Sequence, residues 1–355
     1  MNTNHAPVDA NKKNVPERKV HIRFYWLHCC FTLLFLPQIV VAEKPVPILL
    51  DTDISSDCDD AGALAVLHAL ADQGKANILA VVTNIKCPAN ASAAAVDGIN
   101  TYYGRGEIPI GTDKDGVRFR PIGPSSFTAA LRDEFRHNTP SDNECPDAID
   151  VCRKVLASQP DHSVVYCSVG ALSNMEDLLR SEPDQHSSLT GEELIKKKVR
   201  LTVIMGGGFP RTTSPETNLW LDPTAAVTVA NHWPGQIIWQ GYEVGRAIIS
   251  GAELKKTASN NPVRRAYELR PFHGGKAIDQ GKPSHDQAAV LLAVLGTQPE
   301  YWTVISNGRV VINSDGHSVW NTDRKRSHRY VKIKGDPQKL VDVIEKLMSQ
   351  VPARL

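Results

Sequence analysis

The sequence predicts an α/β fold, an open, mostly parallel (mixed) sheet with helices on both faces, from three observations. Short apolar runs suited to buried strands recur from Pro47 onward. Segments with apolar residues at helical spacing alternate with them, as in strand–helix–strand units. The polar residues that stand out follow directly on those runs, at the edge where open sheets of this class place their ligands. No stretch rich in Pro, Gly and Ser divides the chain, so residues 45–350 read as one domain.

Each element has its own reason. The run Ile48-Leu49-Leu50 is a strand, and Leu64, Leu67 and Leu70 after it mark a helix that Gly74 stops. Residues 78–83 (ILAVVT) are a strand, 90–103 an Ala-rich helix and 108–111 a short strand. Residues 112–144 scatter charge and proline without a period and read as a long loop. A helix over 147–157 with Ile149, Val151, Val155 and Leu156 on one face leads to a buried-type strand over 163–169. A helix over about 172–179 follows, and the polar residues 182–198 read as a surface excursion. Residues 199–205 (VRLTVIM) are a strand ending in three glycines. Asp222-Pro223 opens a helix to about residue 231, with aspartate as cap and proline in the first turn. Residues 236–239 are a further strand. Ser284 and Gln287 have capping-box spacing before the apolar helix 288–295. Asn307-Gly308 between apolar runs predicts a hairpin, RYVKI one more strand, and residues 337–348 a last helix. This antiparallel tail is expected at an edge of the sheet or as a separate flap.

Composition excludes some partners. The chain of 355 residues carries a net charge of +1 and 6% aromatic residues, so it has neither the basic footprint nor the stacking platform of a nucleic-acid binder. Residues 1–42 differ from the rest: Arg18, Lys19, His21 and Arg23 precede an apolar run from Phe24 to Val41 that ends at Ala42. This reads as a signal peptide or membrane anchor, placing the protein outside the cytoplasm, periplasmic or secreted, with membrane contact only through an uncleaved segment. Beyond that segment lie Cys58, Cys87, Cys145, Cys152 and Cys167. An odd number without a C-x-x-C pair indicates neither a zinc ribbon nor a disulfide scaffold. Cys58–Cys87 and Cys145–Cys152 are the pairs open to bridging, with free buried thiols as the alternative.

The most informative stretch is DTDISSDCDDA, where Asp51, Asp53, Asp57, Asp59 and Asp60 crowd into ten residues at the end of the first strand. Carboxylates this close raise one another's pKa unless a cation or several donors compensate. Three other loops add polar groups at the same edge: Asn84, the stretch from Met205 to Asn218, and Ser284–Asp286. Oxygen donors without a Cys/His set suit a hard cation, calcium or magnesium, rather than zinc.

These residues resemble the inosine/uridine-type nucleoside hydrolases. The likeness continues through Thr83-Asn84, VGALSN at Val169–Asn174, MGG at Met205–Gly207, ETNLWLDPTAA at Glu216–Ala226 and His285-Asp286, in the family's order. It implies a Rossmann-like nucleoside hydrolase fold and hydrolysis of the N-glycosidic bond of ribonucleosides with a tightly held Ca²⁺. Carried over by position, Asp53, Asp60, Asp286 and the main-chain carbonyl of Val169 would hold the cation. Asp59, Asn84, Glu216 and Asn218 would hold the ribose hydroxyls, Met205 would lie beside the sugar, and Asp286 would also border the substrate. Asp53 would be general base toward a calcium-bound water, and His285 would assist the leaving base as the group titrating near neutrality. A homo-oligomer is implied by analogy only.

The sequence also departs from the family. Its common loop is DxDPGxDD, whereas here Asp59-Asp60 stand two residues further on and Ser55 replaces glycine. The longer loop resembles the DTDIGxDxDD of exported bacterial relatives, gives Asp57 no assigned role and leaves open whether Asp57 or Asp59 faces the sugar. Pro210 stands where an asparagine contacting the sugar is expected. Trp220, Phe209 and Tyr242 are the aromatic candidates for stacking on the base. Two other readings follow from the same residues. An exported nucleoside- or sugar-binding protein would keep the fold without turnover. A phosphatase of the haloacid-dehalogenase type would use Asp51-Thr52-Asp53, but leaves ETN and HD unexplained.

Overall fold

The computed structural model describes residues 16–17, 44–55, 57–114, 127–139, 141–322 and 328–353. Residues 43–355 form one compact unit, while the signal or anchor read over 1–42 lies almost entirely outside the described residues. Among the described residues, no helix is long and apolar enough to cross a membrane.

Among the described residues, nine strands build the main sheet: β1 Val46–Thr52, β2 Ala76–Thr83, β3 Ile110–Thr112, β4 Val164–Ser168, β5 Val199–Met205, β6 Ile237–Gln240, β7 Trp302–Ile312, β8 Ser318–Asn321 and β9 His328–Ile333. Their spatial order is β8-β7-β9-β6-β5-β4-β1-β2-β3. Every pairing from β9 to β3 is parallel, and β7 and β8 add antiparallel neighbours at one edge. The apolar runs are continuous because both faces of the sheet are covered. Ile48 and Leu50 point into one core layer with the helices Asp59–Asp72 and His285–Leu295, and Leu49 into the other with Ala148–Ala157 and Ser173–Arg180. Strand β5 repeats this, with Val203 and Met205 on the first side and Ile204 on the second.

The chain runs from β1 outward to β2 and β3, then returns to β4 on the other flank. This reversal is a switch point beyond the carboxyl ends of β1 and β4, the crevice position where such sheets bind ligands. Register puts Asp51 beside Ser168 and Thr52 beside Thr83, so the acid loop, Asn84 and Val169-Gly170 emerge together.

Several expectations are corrected. The loop over 112–144 contains a helix, Thr128–Glu134; residues 115–126 and 140 lie outside the described residues. The excursion over 182–198 contains the helix Gly191–Lys198, capped by a Thr190/Glu193 box and burying Leu194 and Ile195. Asn307-Gly308 does not turn a hairpin: β7 runs straight through it with a bulge, Asn307 at φ 66°, and the reversal falls at Asn313–His317, where Gly316 has φ 91°. The Ser284/Gln287 capping box does not form, because the Ser284 hydroxyl bonds Ser250 Oγ at 2.6 Å and the Gln287 amide donates to Tyr267 at 2.7 Å. Cys58, Cys87, Cys145, Cys152 and Cys167 are all free and buried, so neither suggested disulfide forms. Asp222 caps its helix as expected, accepting from the Ala225 amide at 3.0 Å.

Candidate active site

The backbone delivers the carboxylates in two steps. Strand β1 ends at Thr52, and the helix Asp59–Asp72 begins with Asp59 and Asp60 in its first turn, where the positive end of the helix dipole favours negative charge. Across the crevice, Asp286 lies in the first turn of His285–Leu295. Carboxylate oxygens of Asp59, Asp60 and Asp286 fall within 4.8 Å of one another, and all three residues are buried. Thr52 Oγ1 donates to Asp60.

Asp53 completes the cluster. Burial pushes its pKa up to about 8, with repulsion from Asp59 and Glu216 adding to the shift. Burial likewise raises Asp59 to about 6 and lifts Asp60 and Asp286 well above the carboxylate range, each made worse by the neighbouring acids. Crowding of this kind is relieved when a cation neutralises the carboxylates, and Asp59, Asp60 and Asp286 lie close enough together to hold one. A second acidic grouping, Asp150, Asp184 and His186, is more exposed, and its members are taken up by Arg153 and by each other.

The sugar-side residues converge from the other loops. Asn84 Nδ2 donates to Asp51 at 2.8 Å, which leaves its buried Oδ1 with no partner among the described residues. Gly170 permits this approach: a Cβ there would lie 2.8 Å from both Asn84 amide atoms and from Asp53 Cβ. Glu216 caps the short helix Thr217–Leu221, accepting from the amides of Gly207, Asn218 and Leu219, and burial raises its pKa to about 7. Asn218 Nδ2 lies 3.1 Å from each of Val169 O, Met205 O and Met205 Sδ, tying the loops after β4 and β5 together. The Val169 carbonyl is thus engaged by Asn218 in this structure.

At the rim, His285 stacks on Tyr242 with centroids 4.9 Å apart and planes 18° from parallel. Tyr242 is 44% exposed, whereas Phe209 is buried in the core against Tyr330. Burial, then the Lys282 charge, push the His285 pKa down to about 4, and its buried Nδ1 lacks a partner among the described residues. A ring that titrates near neutrality was expected; the ring here is neutral at pH 7. Gly245 makes room for it, since a Cβ would fall 2.2 Å from His285 Nδ1.

Two roles were not read from the sequence, that of Asp51 and that of Lys282 with Arg270. Asp51 is wholly buried and accepts from Asn84, Asn174 at 2.9 Å and Tyr166 at 2.9 Å, an anchor beneath the site whose pKa burial raises to about 7. Its sequence signals are its place at the end of a buried strand and in the aspartate cluster. Lys282 and Arg270 surround Asp57, which had no expected role. Nothing short-range in the sequence joins them.

A profile of the inosine-uridine preferring nucleoside hydrolases matches residues 48–349. The chain belongs to that family. It is therefore a hydrolase acting on N-glycosyl bonds, of a metal-dependent family. The fold agrees: a plant nucleoside hydrolase superposes with TM-score 0.65 at 18% identity, covering 86% of this chain and 99% of that one. The Bacillus anthracis inosine-uridine preferring nucleoside hydrolase gives 0.64 at 15%, with the same coverage. The type III effector protein XopQ, solved with adenosine diphosphate ribose, gives 0.64 at 16%, covering 88% and 95%. No curated protein sequence matches the chain. Family membership makes sense of the crevice, because the hydrolase reading uses the residues that strand order alone brings together there.

Proposed function

We propose that this nucleoside hydrolase cleaves ribonucleosides to free base and ribose, with Ca²⁺ as resident cation and Asp53 as general base. The observation that carries the reading is the buried cluster of Asp59, Asp60 and Asp286 at the switch point of the sheet, with the half-buried Asp53 beside it. Its donors are all oxygen, which suits calcium or magnesium. Asp60, Asp286 and Asp53 would hold the ion, with Asp59 within reach. When bound, it would acidify and orient a water and offset the crowded negative charge.

The chain's own residues supply the rest. Burial holds the proton on Asp53 in the metal-free protein, and a bound cation would ionise it, leaving the carboxylate free to accept a proton from the attacking water. Positive charge developing on the sugar ring is stabilised by the surrounding carboxylates. The unpartnered Asn84 Oδ1 is set to accept from a sugar hydroxyl, and Asp59, Glu216 and Asn218 flank the same space. Met205, its sulfur held by Asn218, forms an apolar wall. His285, neutral at pH 7, would help the departing base through a hydrogen bond. Tyr242 beside it would give the base a stacking surface.

The test is ribose release from inosine, uridine and adenosine by purified protein, with and without chelator. Calcium-loaded protein that turns over none of them overturns the proposal. The alternative, a nucleoside- or sugar-binding protein without turnover, is favoured by one observation: Lys282 already claims an Asp59 oxygen. Tight nucleoside binding with no product over hours would establish it. For the base platform, Tyr242→Ala is expected to raise KM about ten-fold with kcat nearly unchanged, as stacking on an aromatic ring contributes roughly 1–3 kcal/mol. An unchanged KM would remove Tyr242 from the site. Export through residues 1–42 and self-association belong to the same proposal, and are checked by cell fractionation and by sedimentation.

A further inference from the structure

Lys282 and Asp57 have no part in the chemistry above, yet the fold goes to some length to bring them together. Lys282 is 3% exposed, and Nζ lies 3.0 Å from Asp59 Oδ1 and in contact with Asp57 Oδ1. Arg270 Nε stands 3.4 Å from the same Asp57 oxygen, which also accepts the Cys58 amide at 2.7 Å. The backbone carrying Lys282 is fixed on both sides. Lys282–Pro283 pairs with Ile249–Ser250, and the Ser284 amide donates to Gly245 O at 3.1 Å and Ile248 O at 2.9 Å.

A buried ammonium is costly unless paired, so its position has to be explained by its pairs. Asp53, Asp57, Asp59, Asp60 and Asp286 together exceed what one divalent ion can neutralise. Lys282 and Arg270 bring two further positive charges, Lys282 to Asp57 and Asp59 and Arg270 to Asp57.

We infer that Lys282 is a positioning residue, a built-in counter-ion that commits Asp59, with Asp57 behind it, and leaves Asp53, Asp60 and Asp286 to the divalent cation. The inference rests on the nucleoside hydrolase reading of the site. Through Asp59 it sets the orientation of a carboxylate facing the sugar, so it bears on substrate affinity. It also lowers the cation's affinity, because ammonium and ion are separated by a single carboxylate and repel.

The test is calorimetric titration of Ca²⁺ into chelator-treated, full-length protein, unsubstituted and as Lys282→Met, Lys282→Arg and Asp57→Asn. Removing the ammonium should tighten Ca²⁺ binding about ten-fold, and removing the Asp57 charge should weaken it by a similar factor. Lys282→Arg should stay near the unsubstituted value. At saturating Ca²⁺, Lys282→Met should raise nucleoside KM more than it lowers kcat. A structural role alone would loosen Ca²⁺ binding in both charge-removing variants, and that result, or no shift in either, overturns the inference. Should Lys282→Met fail to fold, Lys282→Gln takes its place: tighter Ca²⁺ binding there supports the inference, and no gain overturns it. If the unsubstituted protein takes up no Ca²⁺, this inference and the calcium reading fall together. If it binds Ca²⁺ tightly and Lys282→Met is unchanged, this inference alone falls.

Discussion

Asp53→Asn is expected to lower kcat about a thousand-fold while raising the melting temperature of the metal-free protein, with general-base catalysis contributing roughly 10²–10⁴. The two effects have one origin. Asparagine keeps the volume and removes the group that accepts the proton. It also removes a charge that burial, Asp59 and Glu216 oppose, as the pKa of about 8 records. A folded carboxyl with a raised pKa contributes most to stability below its unfolded value, and that contribution is lost as pH rises through about 8. The stabilisation by Asp53→Asn should therefore be small near pH 4 and largest at pH 8 and above. Steady-state ribose release and melting curves in chelator at both pH values measure it. Activity within ten-fold of the unsubstituted protein would exclude Asp53 as the base. A variant that melts lower at pH 8 would contradict the electrostatic account.

Much of this site was legible because the family's motifs sit at strand ends. Asp53, Asn84, Val169, Met205 and Asp286 are spread over more than half of the chain, and parallel strands with a reversal between β1 and β4 bring them together. Alternation of Ile48, Leu49 and Leu50 between two core layers follows from the period of two in a strand, so the fold class was legible as well. The failures share a different cause: local signals with more than one structural solution. Asn307-Gly308 is as suited to a bulge as to a turn, since both accept a residue in the left-handed region, and β7 needed a bulge to stay paired with β9. Ser284 and Gln287 had the spacing of a capping box but found tertiary partners in Ser250 and Tyr267. The helix Gly191–Lys198 was hidden in a polar stretch, although Thr190 and Glu193 followed by Leu194-Ile195 spelled its start. Lys282 could not be read at all, because its partners lie more than two hundred residues earlier and only the fold joins them. The surplus of aspartates was the one hint that the loop required a cation of its own.

Calcium is expected to stabilise the protein far more at pH 8 than at pH 6. Without the ion, Asp53 holds its proton up to about pH 8 and Asp59 up to about pH 6, and Asp60 and Asp286 are raised further by burial and by one another. Each of these shifts favours the folded, metal-free protein at low pH and costs stability as pH rises through the folded value, so that form should melt lower toward alkaline pH. Ca²⁺ requires ionised ligands and must displace those protons, so its affinity should climb about ten-fold per pH unit for each proton released. Binding to the folded chain alone then converts affinity into stability. The gap between melting temperatures with Ca²⁺ and with chelator should thus widen from pH 6 to pH 8. Titration calorimetry in two buffers of different ionisation enthalpy should show at least one proton released per Ca²⁺ at pH 7. A gap independent of pH, or binding without proton release, would mean that the carboxyls are already ionised in the free protein. The charge shared out by Lys282 and Arg270 would then suffice for the whole cluster, and the ion would not be its required counterpart.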